Sequence, residues 1–158
     1  MTGLRTATLL VATLTTGLAA GLFTTFSYAV MPGLARADDR EFVEVMQRIN
    51  VAILNPWFGV VFGGALLSTA VAAAFQVGRP ALRWTAGAVI LYAIVLLVTF
   101  GVSVPLNNRL AAAGAADPAV ARAMFEAPWV RWNLVRAMAS TASFACATTA
   151  LLVHGRTG

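Results

Sequence analysis

Four polar side chains lie near the ends of long apolar runs, where they could do chemistry. Asn107 and Asn108 directly follow one run, Asn133 directly precedes another, and Arg136 lies one turn into that second run. One helical turn separates Asn133 from Arg136, so the two side chains share one side of the helix. A charge at membrane depth usually faces a bundle interior or a wet cavity. We therefore predict that these four candidate catalytic residues converge on one pocket.

Further polar and aromatic residues lie at the same level of the chain and could bind a substrate. They are Tyr28, Gln47, Asn50, Trp57, Trp129 and Trp132. Each has a structural alternative, because Trp and Tyr gather at membrane interfaces and Asn commonly caps helix ends. The prediction therefore rests on the cluster as a whole, with Gln47 or Asn50 covering the pocket from above.

The composition is that of an integral membrane protein. Of the 158 residues, 59% are hydrophobic and 11% are charged, whereas about a quarter of a soluble domain is charged. A bilayer core takes about 20 helical residues, and four runs match that length: 7–30, 57–77, 84–104 and 134–153. We predict an all-α fold, a single membrane domain over 1–158 that forms a four-helix transmembrane bundle.

Neither nucleic acid nor a metal is indicated as a partner. The net charge is +5, but the basic residues are all Arg and stand one or two at a time between apolar runs, without the basic face that nucleic acid requires. One cysteine, Cys146, and one histidine, His154, cannot supply a His/Cys metal site. The predicted partners are the lipid bilayer and a hydrophobic small molecule.

The connections between the runs are unequal. Residues 78–83 form a tight link, whereas 31–56 and 105–133 are long and share the other face of the bundle. Asp38 and Glu41 resemble a capping box at the start of a short interfacial helix, whose apolar face would hold Phe42, Met46, Ile49 and Ile53. Asp117 and Pro118 similarly predict a short helix over 119–126. We expect the two long loops to pack together, with Met124 and Phe125 contributing from the second.

Pairs of glycines four residues apart occur at Gly17 and Gly21 and at Gly59 and Gly63. Such pairs allow helices to approach closely. In a chain this rich in small residues, these pairs favour packing within the bundle. Assembly into a homo-oligomer is the alternative.

Five short segments carry a resemblance to a known family. They are Met31-Pro32-Gly33, Met46-Gln47-Arg48-Ile49-Asn50, Asn55-Pro56-Trp57-Phe58, Pro105-Leu106-Asn107-Asn108 and Trp132-Asn133-Leu134-Val135-Arg136. In order and spacing they resemble the anthrone oxygenase-like family of small four-helix membrane proteins, over nearly the whole chain. The resemblance implies oxidation of an anthrone-like or quinone-like polycyclic aromatic by molecular oxygen. An anthrone enolate can react with oxygen without a metal or flavin, and the sequence contains no metal or nucleotide motif, so we expect no bound cofactor.

That reaction assigns expected roles to the candidate residues. Trp129, Trp132 and Tyr28 would form an aromatic slot, the asparagines would donate hydrogen bonds to an enolate oxygen, and Arg136 would stabilise its charge. No side chain suited to a strong general base accompanies them. The alternative is a non-catalytic membrane protein that binds a lipid, a quinone or a partner helix under its long loops. A solute transporter fits less well, since the runs contain no midplane charge pair or broken helix.

The short link predicts the orientation in the cell membrane. Arg5, Arg79, Arg83 and Arg156 lie on its face without an acidic residue among them, and short basic loops stay cytoplasmic. Both termini of this multi-pass chain should therefore be cytoplasmic. In intact cells, an impermeant thiol reagent should label cysteine substituted for Asp117 and leave cysteine substituted for Arg79 unlabelled. The opposite pattern would invert the assignment.

Overall fold

The computed structural model describes residues 2–113 and 117–157, and most of those residues are helical, with no strand among them. The elements in order are α1 (Thr2–Thr25), the π-helix π1 (Phe26–Val30), α2 (Met31–Leu34), α3 (Asp39–Ala52), α4 (Pro56–Phe75), α5 (Leu82–Val98), the π-helix π2 (Thr99–Ser103), α6 (Val104–Ala113) and α7 (Pro118–Thr157). The predicted all-α class is confirmed.

Within the described residues, four apolar helical segments are long enough to cross a membrane: Thr2–Leu34, Pro56–Phe75, Leu82–Ala113 and Pro118–Arg156. The chain is a membrane protein of four such segments. α1 packs against α4 and α7, and α5 packs against the same two helices, which gives the cyclic order α1, α4, α5, α7. A cluster that includes Phe23, Phe62, Tyr92 and Val95 fills the centre of the bundle. Leucines such as Leu14 and Leu67 point outward.

The prediction of a short helix over 119–126 is wrong about where that helix ends. α7 begins there, with the Asp117 carboxylate accepting a hydrogen bond from the Val120 amide at 3.2 Å, but it continues for 40 residues through Pro128. An internal proline removes one helical hydrogen bond. The helix nevertheless continues because Ala121, Phe125 and Trp129, four residues apart, are all buried on one face. Residues 114–116 of this connection lie outside the described residues.

The first long connection contains α3, which covers one end of the bundle. The Asp38 carboxylate caps it by accepting a hydrogen bond from the Glu41 amide at 2.8 Å. Phe42 and Met46 are fully buried against Phe125 and Trp129 of α7. The two long connections therefore pack together as expected. Met124 was wrongly included in this contact, since its side chain is 64% exposed.

The glycine pairs do not behave alike. A Cβ on Gly17 would stand 3.0 Å from the ring of Phe144, so this glycine allows α1 and α7 to approach closely. Gly21, Gly59 and Gly63 have no atom within 4 Å of such a Cβ. Packing inside the bundle therefore explains Gly17 alone and was wrong for the other three.

Arg122 fastens the start of α7 to the connection between α2 and α3. Its guanidinium donates to the Ala35 and Ala37 carbonyl oxygens at 3.0 and 2.9 Å and to the Asp39 and Glu126 carboxylates at 3.1 and 2.7 Å. It also lies 4.6 Å from the ring centroid of Phe42. One side chain thus joins two elements that the sequence separates by more than eighty residues.

Arg122→Ala should therefore destabilise the fold by about 2–3 kcal/mol, the scale of lost hydrogen bonds to a charged donor. Thermal unfolding in detergent measures the change. Arg40→Ala is the matched control, because its ion pair with Glu44 is largely exposed and such pairs contribute at most about 1 kcal/mol. Equal unfolding temperatures for the two variants would contradict this account of Arg122.

Candidate functional site

A cavity of about 470 Å³ lies beneath the C-terminal half of α3, where the long connections cover the bundle. Apolar and aromatic side chains from α1, π1, α3 and α4 form most of one side, among them Leu22, Phe23, Phe26, Ile49 and Phe58. The opposite side comes from π2, α6 and α7. Val51 and Leu54 line the cavity and are also exposed at the surface, so the cavity opens beside the end of α3.

The structure brings seven of the ten predicted site residues together around this cavity: Gln47, Asn50, Asn107, Asn108, Trp129, Asn133 and Arg136. The other three do not line it. Tyr28, Trp57 and Trp132 are 69%, 79% and 37% exposed. Trp132 neighbours the buried Asn133, and consecutive helical residues point about 100° apart because a turn holds about 3.6 residues. The aromatic wall instead consists of Phe23, Phe26, Phe58 and Trp129.

Arg136 forms the floor of the cavity and is only 6% exposed. Its guanidinium carbon lies 4.6 Å from the Phe23 ring centroid and 5.3 Å from that of Trp129. Nη2 donates to Asn133 Oδ1 at 2.9 Å, and Nη1 makes a long contact of 3.5 Å with Thr99 Oγ1. Nε is buried without a hydrogen-bond partner. Aromatic faces attract the cation, but they do not neutralise it.

In the part of the chain that the structure describes, no carboxylate is paired with this cation. The ion pairs of the described residues join Arg40 and Arg48 to Glu44, and Arg122 to Asp39 and Glu126. Among the described residues, no Asp, Glu or His lines the cavity. A buried charge is costly unless it is paired, so the site is electrostatically prepared for an anion that the protein itself does not supply.

Asn133 orients Arg136. Its Nδ2 donates to the Phe23 carbonyl at 3.0 Å and to Ser27 Oγ at 2.8 Å, which leaves Oδ1 directed at the guanidinium. Phe23 lies at the end of α1, and Ser27 lies in π1. The first and last membrane segments therefore jointly fix where the positive charge sits.

Two further bonds close the upper part of the cavity. Trp129 Nε1 donates to Asn107 Oδ1 at 3.0 Å, which joins α7 to α6. Gln47 Nε2 donates to the Leu110 carbonyl at 2.9 Å and holds α3 over α6. These asparagine and glutamine side chains bridge separate helices. Asn55 is different, because it caps α4 by accepting from the Phe58 amide at 3.0 Å.

Three buried polar groups in the cavity wall have no partner, and each can donate a hydrogen bond. They are Asn50 Nδ2, Ser103 Oγ and Arg136 Nε. Leaving such groups unpaired costs about 1–3 kcal/mol each. A ligand that supplies an acceptor, above all an anionic oxygen, would recover that cost.

Several residues of the site were not predicted from the sequence. Phe23, Ser27, Thr99 and Ser103 lie within apolar runs, where a single hydroxyl or phenyl group is not a distinctive sequence signal. The spacing of Thr99, Ser103 and Asn107 was a usable signal, since residues four apart lie on one helical face. In the described residues, no three His, Cys, Asp or Glu side chains lie close enough together to hold a metal ion.

Replacing the unneutralised cation should not weaken the fold. A buried charge costs stability, and replacing buried ion pairs by apolar residues is often neutral or stabilising. Removal of Arg136 leaves no carboxylate behind without its partner, because none lies against it among the described residues. Arg136→Leu should therefore unfold at the wild-type temperature or above it, measured in detergent without ligand. A marked drop in unfolding temperature would show that Arg136 is a structural residue.

Comparison with known families identifies one family. The sequence model described as anthrone oxygenase matches residues 53–146, more than half of the chain, and this range contains Asn107, Asn108, Asn133 and Arg136. Comparison with curated proteins and with solved structures gives no match. The family suggests an oxygenase-type role. On the strength of the family match, this four-helix membrane protein belongs to the anthrone oxygenase family.

Proposed function

We propose that the protein is a membrane-embedded oxygenase that oxidises an anthrone-like or quinone-like polycyclic aromatic with molecular oxygen and no bound cofactor. The observation that carries the proposal is Arg136, a buried and unneutralised cation at the floor of an aromatic-lined cavity. An anthrone is apolar as a ketone and anionic as an enolate. The aromatic wall of the cavity suits the apolar ketone, and the Arg136 cation suits the anionic enolate.

The proposed reaction balances with oxygen as the only co-substrate. The ring carbon opposite the ketone loses a proton, and the resulting enolate gives electrons to oxygen. A carbon–oxygen bond forms, the oxygen–oxygen bond breaks, and water leaves with the second hydrogen of that carbon. Anthrone and oxygen thus yield anthraquinone and water.

Arg136 would act by stabilising the enolate. A positive charge directed at a developing oxyanion is most effective where water is excluded, and this guanidinium lies between two aromatic rings. The cavity volume of about 470 Å³ falls in the range of about 300–1,000 Å³ typical of small-molecule sites. The rings of Phe23, Phe26, Phe58 and Trp129 offer flat apolar surfaces to a fused aromatic system.

The cavity offers no strong base for the proton. Arg136 is the one ionisable side chain among its described lining residues, and a guanidinium stays protonated. The protein therefore selects the enolate form, and the proton passes to water at the open end. The exposed apolar Val51 and Leu54 beside the opening suit a substrate that arrives from the bilayer.

Location and assembly form part of the same proposal. The protein would lie in the cell membrane with both termini in the cytoplasm and would work without a metal, haem or flavin. The lining residues supply the amide, hydroxyl and guanidinium donors that this chemistry requires. Gly59 and Gly63, with open space before them, leave a helix surface on which two copies could meet.

Oxygen consumption by purified protein supplied with anthrone tests the activity. Wild-type protein should exceed the uncatalysed rate, and Arg136→Leu should lower kcat by about 10²–10³-fold, the effect of removing one oxyanion-stabilising donor. Arg136→Lys should keep part of the activity, because it retains the charge and loses the planar fork. Arg131→Leu is the control, since Arg131 is exposed on the same helix.

Each result has one meaning. A rate no higher than the uncatalysed one rejects the oxygenase proposal, and binding of anthrone without turnover then favours the non-catalytic alternative. Stoichiometric metal, haem or flavin in active protein rejects the cofactor-free form of the proposal. Equal losses in Arg136→Leu and Arg131→Leu reject the role of Arg136.

A further inference from the structure

Two ladders of polar side chains face each other across the cavity. Thr99, Ser103 and Asn107 lie four residues apart along π2 and α6, and Trp129, Asn133 and Arg136 lie on successive turns of α7. All six line the cavity. The contacts pair Asn107 with Trp129 near the opening and Thr99 with Arg136 at the floor. Ser103 therefore lies at the level of Asn133, between these two contacts.

The middle level has no bond across it. Asn133 uses its amide for Phe23 and Ser27 and its oxygen for Arg136. Ser103 is 2% exposed, and its hydroxyl has no hydrogen-bond partner. A buried hydroxyl without a partner is unusual, so the gap at this level needs an explanation.

Other buried hydroxyls of the described residues show what is normal for this protein. Thr16, Thr69, Thr85, Thr99, Ser140 and Ser143 each donate to a backbone carbonyl oxygen. Ser103 alone among the buried serines and threonines described makes no such bond. Ser103 lies at the end of π2, where the Thr99 carbonyl oxygen accepts a hydrogen bond from the Val104 amide, five residues along the chain.

We infer that Ser103 is a second oxyanion donor, which binds the enolate oxygen of the substrate together with Arg136. This inference rests on the proposed function and adds a residue that works differently from the arginine. Arg136 contributes charge, and its unpartnered Nε contributes a donor. The Ser103 hydroxyl contributes a neutral donor from the opposite wall. The substrate oxygen would fill the gap between the ladders and satisfy both groups.

No proton changes hands at Ser103. The hydroxyl donates one hydrogen bond to the enolate oxygen and retains its hydrogen as the ring carbon reacts with oxygen. Its contribution is therefore to raise the ratio of bound enolate to bound ketone. That ratio can be measured without turnover.

The test uses anthrone as the probe, under anaerobic conditions, with purified protein in detergent. The conjugated enolate absorbs at longer wavelength than the ketone, so the spectrum of the bound probe gives the ratio directly. Wild-type protein should raise the enolate-to-ketone ratio above that of free anthrone at the same pH. Ser103→Ala should lower the ratio by about five- to tenfold, the size expected for one neutral hydrogen bond.

Two matched variants identify the hydroxyl as the cause. Ser103→Thr keeps the hydroxyl and should retain most of the enolate. Ser140→Ala makes the same deletion at a buried serine one turn beyond Arg136, whose hydroxyl donates to backbone, and should leave the ratio unchanged. Equal ratios for Ser103→Ala and Ser140→Ala would overturn the inference, as would failure of Ser103→Thr to exceed Ser103→Ala.

Admission of oxygen then separates this inference from the proposed function. If the bound enolate depends on Ser103 but gives no anthraquinone above the uncatalysed rate, the oxygenase proposal fails and the donor role stands. If turnover is fast and the enolate-to-ketone ratio is the same in wild-type protein and Ser103→Ala, the donor role fails and the oxygenase proposal stands. If wild-type protein does not raise the enolate-to-ketone ratio of bound anthrone, the proposed role of Ser103 is overturned.

Discussion

The desolvated guanidinium of Arg136 is the constraint on which the rest of the site depends. Burying a cation in the apolar end of a membrane bundle is unfavourable unless several groups hold it. Phe23 and Trp129 supply aromatic faces to the guanidinium, and Asn133 accepts a hydrogen bond from it. Thr99 Oγ1 lies at the longest distance that still allows a hydrogen bond to it. These residues come from three of the four membrane segments. The position of one charge therefore requires the correct assembly of α1, α5 with π2, and α7.

The cover of the cavity depends on a second set of interactions around Arg122. This guanidinium ties α7 to the backbone before α3, and Gln47 ties α3 to α6. The last residues of α3, which border the opening, have no comparable bond to α6 or α7. The cover is thus fixed at one end and lightly held at the other, next to the exposed Val51 and Leu54. In the proposed function, such an arrangement would keep water from the cation and admit the apolar substrate.

The sequence predicted the bundle better than the site, for physical reasons. Apolar runs of membrane length fix four segments, and the rarity of polar residues within them draws attention to Asn133 and Arg136. Aromatic residues gave weaker guidance, since Tyr28, Trp57 and Trp132 suit an interface as well as a slot. The deeper hydroxyls of Thr99 and Ser103 were missed because a hydroxyl in a helix normally bonds its own backbone. Only the fold shows that one of them does not.

The two π-helices have a consequence for how such a site can change. Each inserted residue of this kind rotates everything beyond it by about 100° relative to the preceding helix, because a turn holds about 3.6 residues. In segment Leu82–Ala113, the part before π2 packs in the bundle core and the part beyond it lines the cavity. In segment Thr2–Leu34, the part before π1 packs in the bundle and the part beyond it packs against α3 and α7. The two parts are therefore in different rotational phase. A single deletion within π2 would turn Asn107 away from Trp129 while the lower bundle kept its packing, so lineages could rebuild the cavity by one-residue insertions and deletions without redesigning the membrane scaffold.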